Sequence, residues 1–535
     1  MEEACLLDEA FTAVCRKFGI AALRREQRTC IEAVTRGEDV FGSFPTGFGK
    51  SLIYQALPTV AETLRRKRDP IVVVISPLKA LICDQIEWLR SKEVPAAAIG
   101  VSNADDDLIQ EGKMQLVYGS PEKFLSNDKW SSFLHLPHIR ENVIAVVADE
   151  VHTVIEWGCS TDKAKSAFRP WCGRVGEIRA LLGKVPLLAL TATVPLKFRA
   201  KLILQLGMPA CKQIISSPDR ENVRTVVRRV DGDIEHVFAP LIDALRAKRH
   251  NCPRVVVYCK STDTCSLLFT LFQSRLGDHG YHEDKSERLV ENRLFAMFHS
   301  ISAEATKANI LLSLKNAEGT IRVIFATTAL GLGVDIKGLY TVIHYGPPCS
   351  IEEYQQELGR AGRDGKPSVS ILLWNRSLGR HVRSEMDQFL LQSSQQCHRK
   401  LMLAHFLEKN VAVSKVCGTH DCCDICAADC ICGDCPLYWG TSIVNVSSLV
   451  RDDVVNCWTA SKKEVLASEL REYVFEIEGH EGIQFLPEYV IHQLVENAKN
   501  FCHPRDIPSF VDIPRNACID AIFSLLTRVL EQTHI

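Results

Sequence analysis

Short apolar runs rich in valine, isoleucine and leucine alternate with amphipathic helical patterns as far as residue 388. Runs of this kind, bounded by turn residues, are typical of buried parallel strands joined by crossover helices. The pattern occurs twice, which predicts two tandem domains that each contain a parallel sheet. The predicted strands are residues 39–44, 71–76, 115–118, 143–148 and 187–190 in the first domain, and 255–258, 294–298, 323–326, 341–345 and 369–373 in the second.

The chain outside these strands has a different character. Residues 216–229 begin as a turn-rich segment and continue as extended chain, so the boundary between the domains is predicted there. Residues 274–293 are polar and charged, which predicts a surface insertion. The predicted fold class is α/β, with two parallel-sheet domains followed by a small cysteine-rich helical domain and a helical C-terminal region. The C-terminal helices are predicted at residues 462–478, 487–500 and 517–532.

The composition is that of a globular protein. Hydrophobic residues make up 46% and charged residues 24%, so large buried cores are expected and disorder is not. The net charge of -2 excludes a strongly basic chain, although a local basic cleft for nucleic acid is compatible with it. No apolar run is long enough to span a bilayer and no secretory signal is visible, so no membrane partner is expected. The 22 cysteines are expected to be reduced, and most are predicted to be core residues.

The segment Phe-Pro-Thr-Gly-Phe-Gly-Lys-Ser at residues 44–51 follows a predicted strand and opens a helix, which is the setting of a phosphate-binding P-loop. Gly47 and Gly49 permit backbone N–H groups to turn inward around phosphate. Lys50 is predicted to neutralise the β- and γ-phosphates of ATP, and the Ser51 hydroxyl to bind Mg²⁺. A glycine turn that merely caps a helix is the alternative, which the strand–loop–helix context disfavours. The residues predicted to hold the nucleotide here are Thr46, Gly47, Gly49, Lys50 and Ser51.

An acidic pair follows the predicted strand at residues 143–148. Asp149 and Glu150 stand at the carboxyl end of this apolar run, where open α/β sheets bind their ligands. Asp149 is predicted to lie in the outer shell of Mg²⁺, and Glu150 to orient and deprotonate the attacking water. An acidic pair alone is more often a solvated strand end, and the upstream P-loop favours the catalytic interpretation.

The second domain contains the segment Gln-Glu-Leu-Gly-Arg-Ala-Gly-Arg-Asp-Gly at residues 356–365. Arg360 and Arg363 would share one face of this segment if it were helical. Their guanidinium groups are predicted to reach phosphate across a domain cleft as arginine fingers. Gln356, at the start of the same segment, is also predicted to be a catalytic residue. Such a site is complete only when two domains close, as in an ATP-driven motor. By itself, a segment rich in arginine and glycine is usually a surface turn.

Together these motifs resemble the RecQ group of superfamily 2 DNA helicases. The segments that carry the resemblance between residues 11 and 430 are PTGFGKS at 45–51, DEVH at 149–152, TAT at 191–193, ATTALGLGVD at 326–335, HYGPPCS at 344–350 and QELGRAGRDG at 356–365. The resemblance implies an ATP- and Mg²⁺-dependent helicase that moves 3′ to 5′ on DNA. The implied domains are a RecA-like ATP-binding domain at 1–217, a RecA-like C-terminal helicase domain at 218–388, a RecQ-type zinc-binding domain at 389–436 and a helical region of unknown role at 437–535.

The resemblance also implies contacts with the adenine base and with single-stranded DNA. Leu-Arg-Arg-Glu-Gln at residues 23–27 is similar to the family's adenine-reading segment, which implies that Gln27 binds the base edge with Arg24 beside it. Ile20 stands where the family often has an aromatic residue, and a plain amphipathic helix is the alternative interpretation. The two ends of the family's aromatic-rich loop are matched, but they are further apart than usual. The implied nucleic-acid contacts are Ser76, Pro77, Ser120, Trp157, Phe168, Arg169 and Thr327.

A cysteine cluster resembles the RecQ zinc site. Four thiolates suit tetrahedral structural Zn²⁺, and disulfides are the alternative. Cys422 and His420 are adjacent competitors for one ligand position. A further group either binds a second metal or consists of inert thiols. The implied zinc ligands are Cys397, Cys417, Cys423 and Cys426, and the further group is Cys430, Cys432 and Cys435.

The expected function is therefore ATP-driven translocation on single-stranded DNA and unwinding of forked duplex, in DNA repair or recombination. A nuclear location follows from the resemblance alone, with the cytoplasm as the alternative. Three other functions compete: an RNA helicase, a DNA-binding protein with a silent motor, and a metabolic P-loop kinase. The zinc-type cysteines argue against an RNA helicase. The intact Lys50 and acidic pair argue against a silent motor, and the second-domain arginines argue against a metabolic kinase. No winged-helix domain is recognisable in residues 436–535, so translocation is better supported than unwinding of duplex.

Overall fold

The structure is a computed structural model. It describes residues 2–77, 79–156, 169–230, 233–282, 289–331, 335–379, 382–407, 416–428, 430, 460–481, 488–498, 504, 507, 511 and 519–532.

The first domain is built on a seven-stranded parallel sheet with the strand order β3-β4-β2-β5-β6-β1-β7. The central strands are fully buried because side chains from both faces enter apolar clusters. The carboxyl ends of the parallel strands meet at one edge of the sheet. At this edge the P-loop follows β1 and the acidic pair follows β5. The strands are β1 Val40–Ser43, β2 Ile71–Ile75, β3 Ala96–Ala98, β4 Leu116–Gly119, β5 Val143–Ala148, β6 Leu187–Thr191 and β7 Lys212–Ile215.

The second domain contains a six-stranded parallel sheet with the order β10-β11-β9-β12-β13-β8. Its two faces are covered by separate apolar clusters, again as expected for a sheet with crossover helices. The strands are β8 Val223–Arg229, β9 Arg254–Cys259, β10 Phe295–Phe298, β11 Val323–Ala326, β12 Leu339–Tyr345 and β13 Ser368–Trp374.

Helices connect the strands and form the C-terminal part of the described chain. Those of the first domain are Glu2–Phe18, Arg25–Thr35, Lys50–Gln55, Leu57–Thr63, Lys79–Ser91, Asn103–Gln110, Pro121–Leu125, Asp128–Phe133, Pro137–Asn142, His152–Glu156, Val175–Leu182 and Leu196–Gln205. The later ones are Ile234–Lys248, Thr262–Leu276, Glu304–Lys315, Ile351–Leu358, Ser384–Gln392, His398–Phe406, Asp424–Ala428, Ala460–Glu481, Glu488–Asn497 and Ile519–Gln532. Short 3₁₀ turns are Pro170–Arg174, Arg249–Asn251, Gly277–Gly280, Val290–Asn292 and Thr328–Gly331.

The predicted fold class is confirmed: two parallel-sheet RecA-like domains precede a helical C-terminal region. All ten predicted strands are present, and β3, β7 and β8 are additional. The predicted insertion at residues 274–293 is partly regular structure, because a helix continues to Leu276 and Tyr281 pairs with Arg293 in an isolated bridge. The last three helices bury their own apolar cluster, which includes Leu470, Leu494 and Ile522. No helix of the described chain is long and apolar enough to cross a bilayer.

Candidate nucleotide and nucleic-acid site

The P-loop turns between β1 and the helix Lys50–Gln55. Gly47 and Gly49 have φ angles of 79° and 88°, in the left-handed region where a Cβ is strained. A Cβ on Gly49 would also stand 2.8 Å from the side-chain nitrogen of Gln27. The Nζ atom of Lys50 lies 3.5 Å from the carbonyl oxygen of Phe44. The local sequence therefore forms a tight loop that directs backbone N–H groups and one lysine toward a common point.

The predicted adenine-reading residues pack directly on this loop. Gln27 Nε2 donates to the carbonyl oxygens of Phe48 (3.3 Å) and Gly49 (3.1 Å). Its Oε1 accepts from the backbone N–H of Arg24 at 2.9 Å, and the Arg24 guanidinium lies 4.8 Å from the ring centroid of Phe48. Ile20 packs against the apolar cluster of the first domain. Gln27 and Arg24 are thus placed beside the P-loop, whereas Ile20 contributes to the core.

The acidic pair is held at the end of β5. Asp149 is only 6% exposed, and its Oδ2 accepts a hydrogen bond from the hydroxyl of Tyr54 at 3.4 Å. Burial, reinforced by the negative charge of Glu150 and opposed by Lys50, raises the pKa of Asp149 to about 7. Glu150 has a φ of 52°, an uncommon backbone conformation for a residue with a side chain. Strained backbone of this kind is concentrated at functional sites.

A histidine joins this acid to the second domain. His152 Nδ1 lies 3.3 Å from Glu150 Oε2, and its Nε2 lies 3.1 Å from Gln356 Nε2. Gln356 can donate to Nε2 only if the imidazole proton is on Nδ1, where the Thr191 hydroxyl oxygen, 3.2 Å away, can accept it. Gln356 Nε2 also lies 3.4 Å from the Thr193 hydroxyl oxygen. Gln356 is therefore in contact with two motifs of the first domain.

The two predicted arginine fingers lie in the turn after the helix Ile351–Leu358. The helical arrangement considered from their spacing is not formed. Arg360 is buried, and Arg363 Nη1 pairs with Asp335 Oδ1 at 3.1 Å. Burial and the neighbouring positive charge of Arg360 lower the pKa of Arg363 to about 10, so its guanidinium stays charged at neutral pH. Arg363 Cγ lies 3.9 Å from the position that a Cβ would take on Gly47, so this turn packs on the P-loop.

Two residues in the middle of the helix Lys79–Ser91, Asp84 and Gln85, connect the site to its surroundings. Gln85 Nε2 donates to the Ser51 hydroxyl at 3.2 Å, which positions the predicted Mg²⁺ ligand. Asp84 Oδ1 pairs with Lys315 Nζ at 2.7 Å, and this ion pair joins the two domains.

The carboxyl edge of the first sheet carries three of the predicted single-strand contacts, Ser76 and Pro77 after β2 and Ser120 after β4. Arg169 donates through Nε and Nη2 to both carboxylate oxygens of Glu122 (2.7 and 2.6 Å) and through Nη1 to the carbonyl oxygen of Pro77 (2.6 Å). Ser76 is buried, and the Ser120 hydroxyl caps the helix Pro121–Leu125. The structure thus shows Arg169 joining three predicted contact segments. Thr327 lies at the end of β11, where its hydroxyl accepts from Ala329 N, and Trp157 and Phe168 lie outside the described residues.

The cysteine cluster brings four thiols together. The Sγ atoms of Cys397, Cys422, Cys423 and Cys426 all lie within 4.8 Å of one another, and all four residues are free thiols. Cys417 lies beside Cys397 and Cys422. Cys422 is therefore part of this group, and Cys417, which the family resemblance implied as a ligand, lies beside it. The turn before the helix Asp424–Ala428 brings the buried Cys422 thiol to within 3.5 Å of Cys397 Sγ.

The further cysteine group is described only in part. Cys430 Sγ lies 3.7 Å from His420 Nδ1. Cys432 and Cys435 lie outside the described residues. Whether this group binds a second metal stays a prediction.

Residues 24–202 match the DEAD/DEAH box helicase family, and residues 236–365 match the helicase conserved C-terminal domain. The chain is 30% identical to the RecQ-like DNA helicase BLM of Xenopus laevis over 369 residues, which are 67% of this chain and 24% of BLM. It is 30% identical to the probable ATP-dependent DNA helicase RecS of Bacillus subtilis (strain 168) over 368 residues, which are 66% of this chain and 65% of RecS. The chain thus spans less than two thirds of each of these curated relatives.

The fold is similar to that of the DUF1998 helicase MrfA in its crystal structure bound to DNA. The TM-score is 0.56 at 19% identity, and the match covers 72% of this chain and 53% of that chain. At this identity the likeness concerns the arrangement of the two RecA-like domains. The family resemblance drawn from the motifs is confirmed by the relatives. The chain therefore carries the DEAD/DEAH box helicase domain and the helicase C-terminal domain, and it is a homologue of the RecQ-family helicases.

Proposed function

We propose that the protein is an ATP-dependent DNA helicase whose two RecA-like domains share one nucleotide. The observation that supports this most directly is the packing of the Arg363 turn on the P-loop at Gly47. Cations of the second domain and acids of the first domain then face the same point. BLM and RecS, which this chain resembles over about two thirds of its length, are both named DNA helicases.

In the proposed reaction, Lys50 and the P-loop N–H groups bind the phosphates, and Ser51 and Asp149 hold Mg²⁺, which neutralises phosphate charge when bound. Glu150 orients the attacking water and accepts its proton. His152 and Gln356 bring the second domain next to this acid, because His152 Nδ1 lies 3.3 Å from Glu150 Oε2 and His152 Nε2 contacts Gln356. Arg360 and Arg363 stabilise the negative charge that develops on the transferred phosphoryl group.

DNA is proposed to bind as a single strand that contacts Ser76, Pro77 and Ser120 of the first domain and Thr327 of the second. Contacts there would be mainly with the phosphate backbone, so binding should depend steeply on salt and little on sequence. The proposed movement is 3′ to 5′, with forked duplex as the unwound substrate and a role in DNA repair or recombination in the nucleus. These finer points follow from the family resemblance.

We also propose that the four-thiol group holds a structural Zn²⁺. Four free, largely buried thiols with mutually close sulfur atoms suit a tetrahedral thiolate site. His398 Nδ1 and Asp424 Oδ1 lie 3.1 Å apart beside this site, because Asp424 directly follows Cys423. Such a site would stabilise the packing of the helix His398–Phe406 on the second domain.

Strand displacement tests the function. A duplex with a 3′ single-stranded tail should be unwound with ATP, whereas a duplex with a 5′ tail, the 3′-tailed duplex without ATP, and the Lys50→Ala variant should show no displacement. An RNA duplex of the same sequence tests the RNA alternative. Displacement of RNA in preference to DNA, or ATP-independent strand separation, would contradict the proposal.

A further inference from the structure

Arg220 lies in the segment between β7 and β8, which connects the two sheets, and the sequence indicated only a turn there. Its guanidinium bridges the P-loop and the arginine turn. Nη1 donates to the carbonyl oxygens of Thr46 (3.2 Å) and Gly359 (2.8 Å). Nη2 donates to the carbonyl oxygens of Ala361 (3.0 Å) and Gly362 (2.7 Å). One planar group thus contacts both sides of the candidate nucleotide site.

The guanidinium is held in this orientation by its neighbours. Asn222 Oδ1 accepts from Arg220 Nε at 3.4 Å, while Asn222 Nδ2 donates to Gly362 O at 2.9 Å. Behind it, Arg399 Nη1 donates to the Arg220 carbonyl oxygen at 2.9 Å and also pairs with Asp219. Arg399 is on the helix that begins after Cys397, so the connecting segment is fixed from the side of the cysteine cluster. Arg220 is therefore a fixed element and not a mobile surface side chain.

The geometry indicates what Arg220 controls. Arg360 and Arg363 are on the same turn as the three carbonyl groups that Arg220 binds, so the position of this turn decides where both guanidinium groups lie. Thr46 Oγ1 donates to Gly359 O at 3.0 Å, which is the neighbouring contact between the same two segments. A lysine could not replace Arg220, because an ammonium on a flexible stem cannot reproduce a planar fork that contacts four carbonyl groups.

We propose that Arg220 is a positioning residue that holds the turn with Arg360 and Arg363 against the P-loop, so that both are in place when the phosphoryl group is transferred. This inference rests on the proposed function. Substitution of Arg220 should therefore weaken stabilisation of the transition state for phosphoryl transfer. It should change the affinity for the bound nucleotide little, because nucleotide binding itself uses the P-loop and Gln27.

The test compares the affinities of the full-length chain for fluorescent ADP and for ADP with aluminium fluoride, which mimics the transferred phosphoryl group. Arg220→Lys and Arg220→Gln should bind ADP within about twofold of wild type, yet lose about tenfold or more of their affinity for ADP with aluminium fluoride. The kcat for ATP should fall by a similar factor, with KM less affected. The control is Arg68→Lys, an exposed arginine before β2, which should match wild type.

Any other result contradicts either the positioning role of Arg220 or the proposed nucleotide site shared by the two domains. If Arg220→Lys keeps the wild-type preference for ADP with aluminium fluoride over ADP, the positioning role is wrong and the proposed function stands. If both ligands weaken equally in both variants, Arg220 supports only the fold of the P-loop. If the wild-type protein itself shows no preference, the shared nucleotide site is wrong, and the role of Arg220 falls with it.

Discussion

The Cγ atom of Arg363 lies 3.9 Å from the position that a Cβ would occupy on Gly47, although the two residues belong to different domains. The turn that carries Arg363 therefore packs against the loop that is proposed to bind phosphate. The same interface includes the Thr46–Gly359 hydrogen bond and the Gln356–His152 contact. Three contacts at one junction place predicted site residues of both domains against each other.

Replacement of Glu150 by glutamine should separate ATP binding from hydrolysis. The amide keeps the size of the side chain but cannot accept the proton of the attacking water. We expect kcat to fall about 100-fold or more while ATP affinity stays within a few-fold. Turnover close to that of wild type would rule out Glu150 as the base. The exposed Glu141→Gln serves as control and should hydrolyse ATP normally.

Removal of the Gln27 side chain should weaken the selection of adenine. Gln27 is placed beside the loop by two hydrogen bonds to its carbonyl groups. We expect Gln27→Ala to raise KM for ATP about tenfold and to reduce the preference for ATP over GTP. Steady-state hydrolysis of both nucleotides measures this, with the exposed Gln395→Ala as control. An equal loss with ATP and GTP would mean that Gln27 supports the loop and does not contact the base.

A buried acid behind the arginine turn should make stability depend on pH. Glu357 Oε2 lies 3.0 Å from His344 Nε2, and burial raises the pKa of Glu357 to about 8 and lowers the pKa of His344 to about 3. Both groups are then neutral at pH 7, with the proton on Glu357. The pKa of Glu357 in the folded protein exceeds its ordinary value of 4.5. The contribution of the neutral Glu357 side chain to the free energy of unfolding is therefore full below pH 4.5 and is lost as pH rises through about 8.

Glu357→Gln should remove that loss, because an amide stays neutral at every pH in this range. We expect the Tm of wild type to fall more steeply than that of Glu357→Gln between pH 7 and pH 9, by a few degrees, since about 1 kcal/mol corresponds to about 2–4 °C in a domain of this size. Thermal melting at both pH values measures the difference. Parallel curves for the two proteins would show that Glu357 is already ionised at pH 7. The exposed Glu291→Gln should follow wild type.

Two neighbouring cysteines distinguish the possible zinc ligand sets. Cys422 is in the close thiol group and Cys417 lies beside it. We expect Cys422→Ser to lose bound zinc and to lower Tm, whereas Cys417→Ser should keep about one zinc per chain. Metal analysis of the purified variants measures this. Loss of zinc in Cys417→Ser with retention in Cys422→Ser would restore the ligand set implied by the family resemblance.

The sequence predicted those parts of the fold that depend on local pattern. β2 and β5 are continuous apolar runs buried on both faces, and both were predicted within one residue of their observed ends. The strand Ala96–Ala98 was missed because alanine has little preference for strands and the segment lies at the sheet edge. The edge strand Lys212–Ile215 was missed for a similar reason, since half of it is exposed.

In the candidate site, too, the features set by local sequence were predictable and those set by long-range packing were not. The P-loop and acidic pair were predictable, because each is a short motif set by its own strand and turn. The roles of Arg220 and Gln85 were not predictable, because their partners are far away in sequence and are brought close only by the packing of the domains. Spacing likewise could not decide between Cys417 and Cys422, since the thiol that enters the group depends on the backbone of the turn.

ATP hydrolysis in the presence of single-stranded DNA, measured for wild type and for Arg363→Gln, tests most directly whether both domains serve one nucleotide. We expect single-stranded DNA to stimulate the wild-type enzyme and Arg363→Gln to lose about 100-fold or more in kcat, with ADP affinity nearly unchanged. The exposed Arg376→Gln should retain wild-type activity. Full activity of Arg363→Gln would contradict the shared site, because the second domain would then contribute no charge to the reaction.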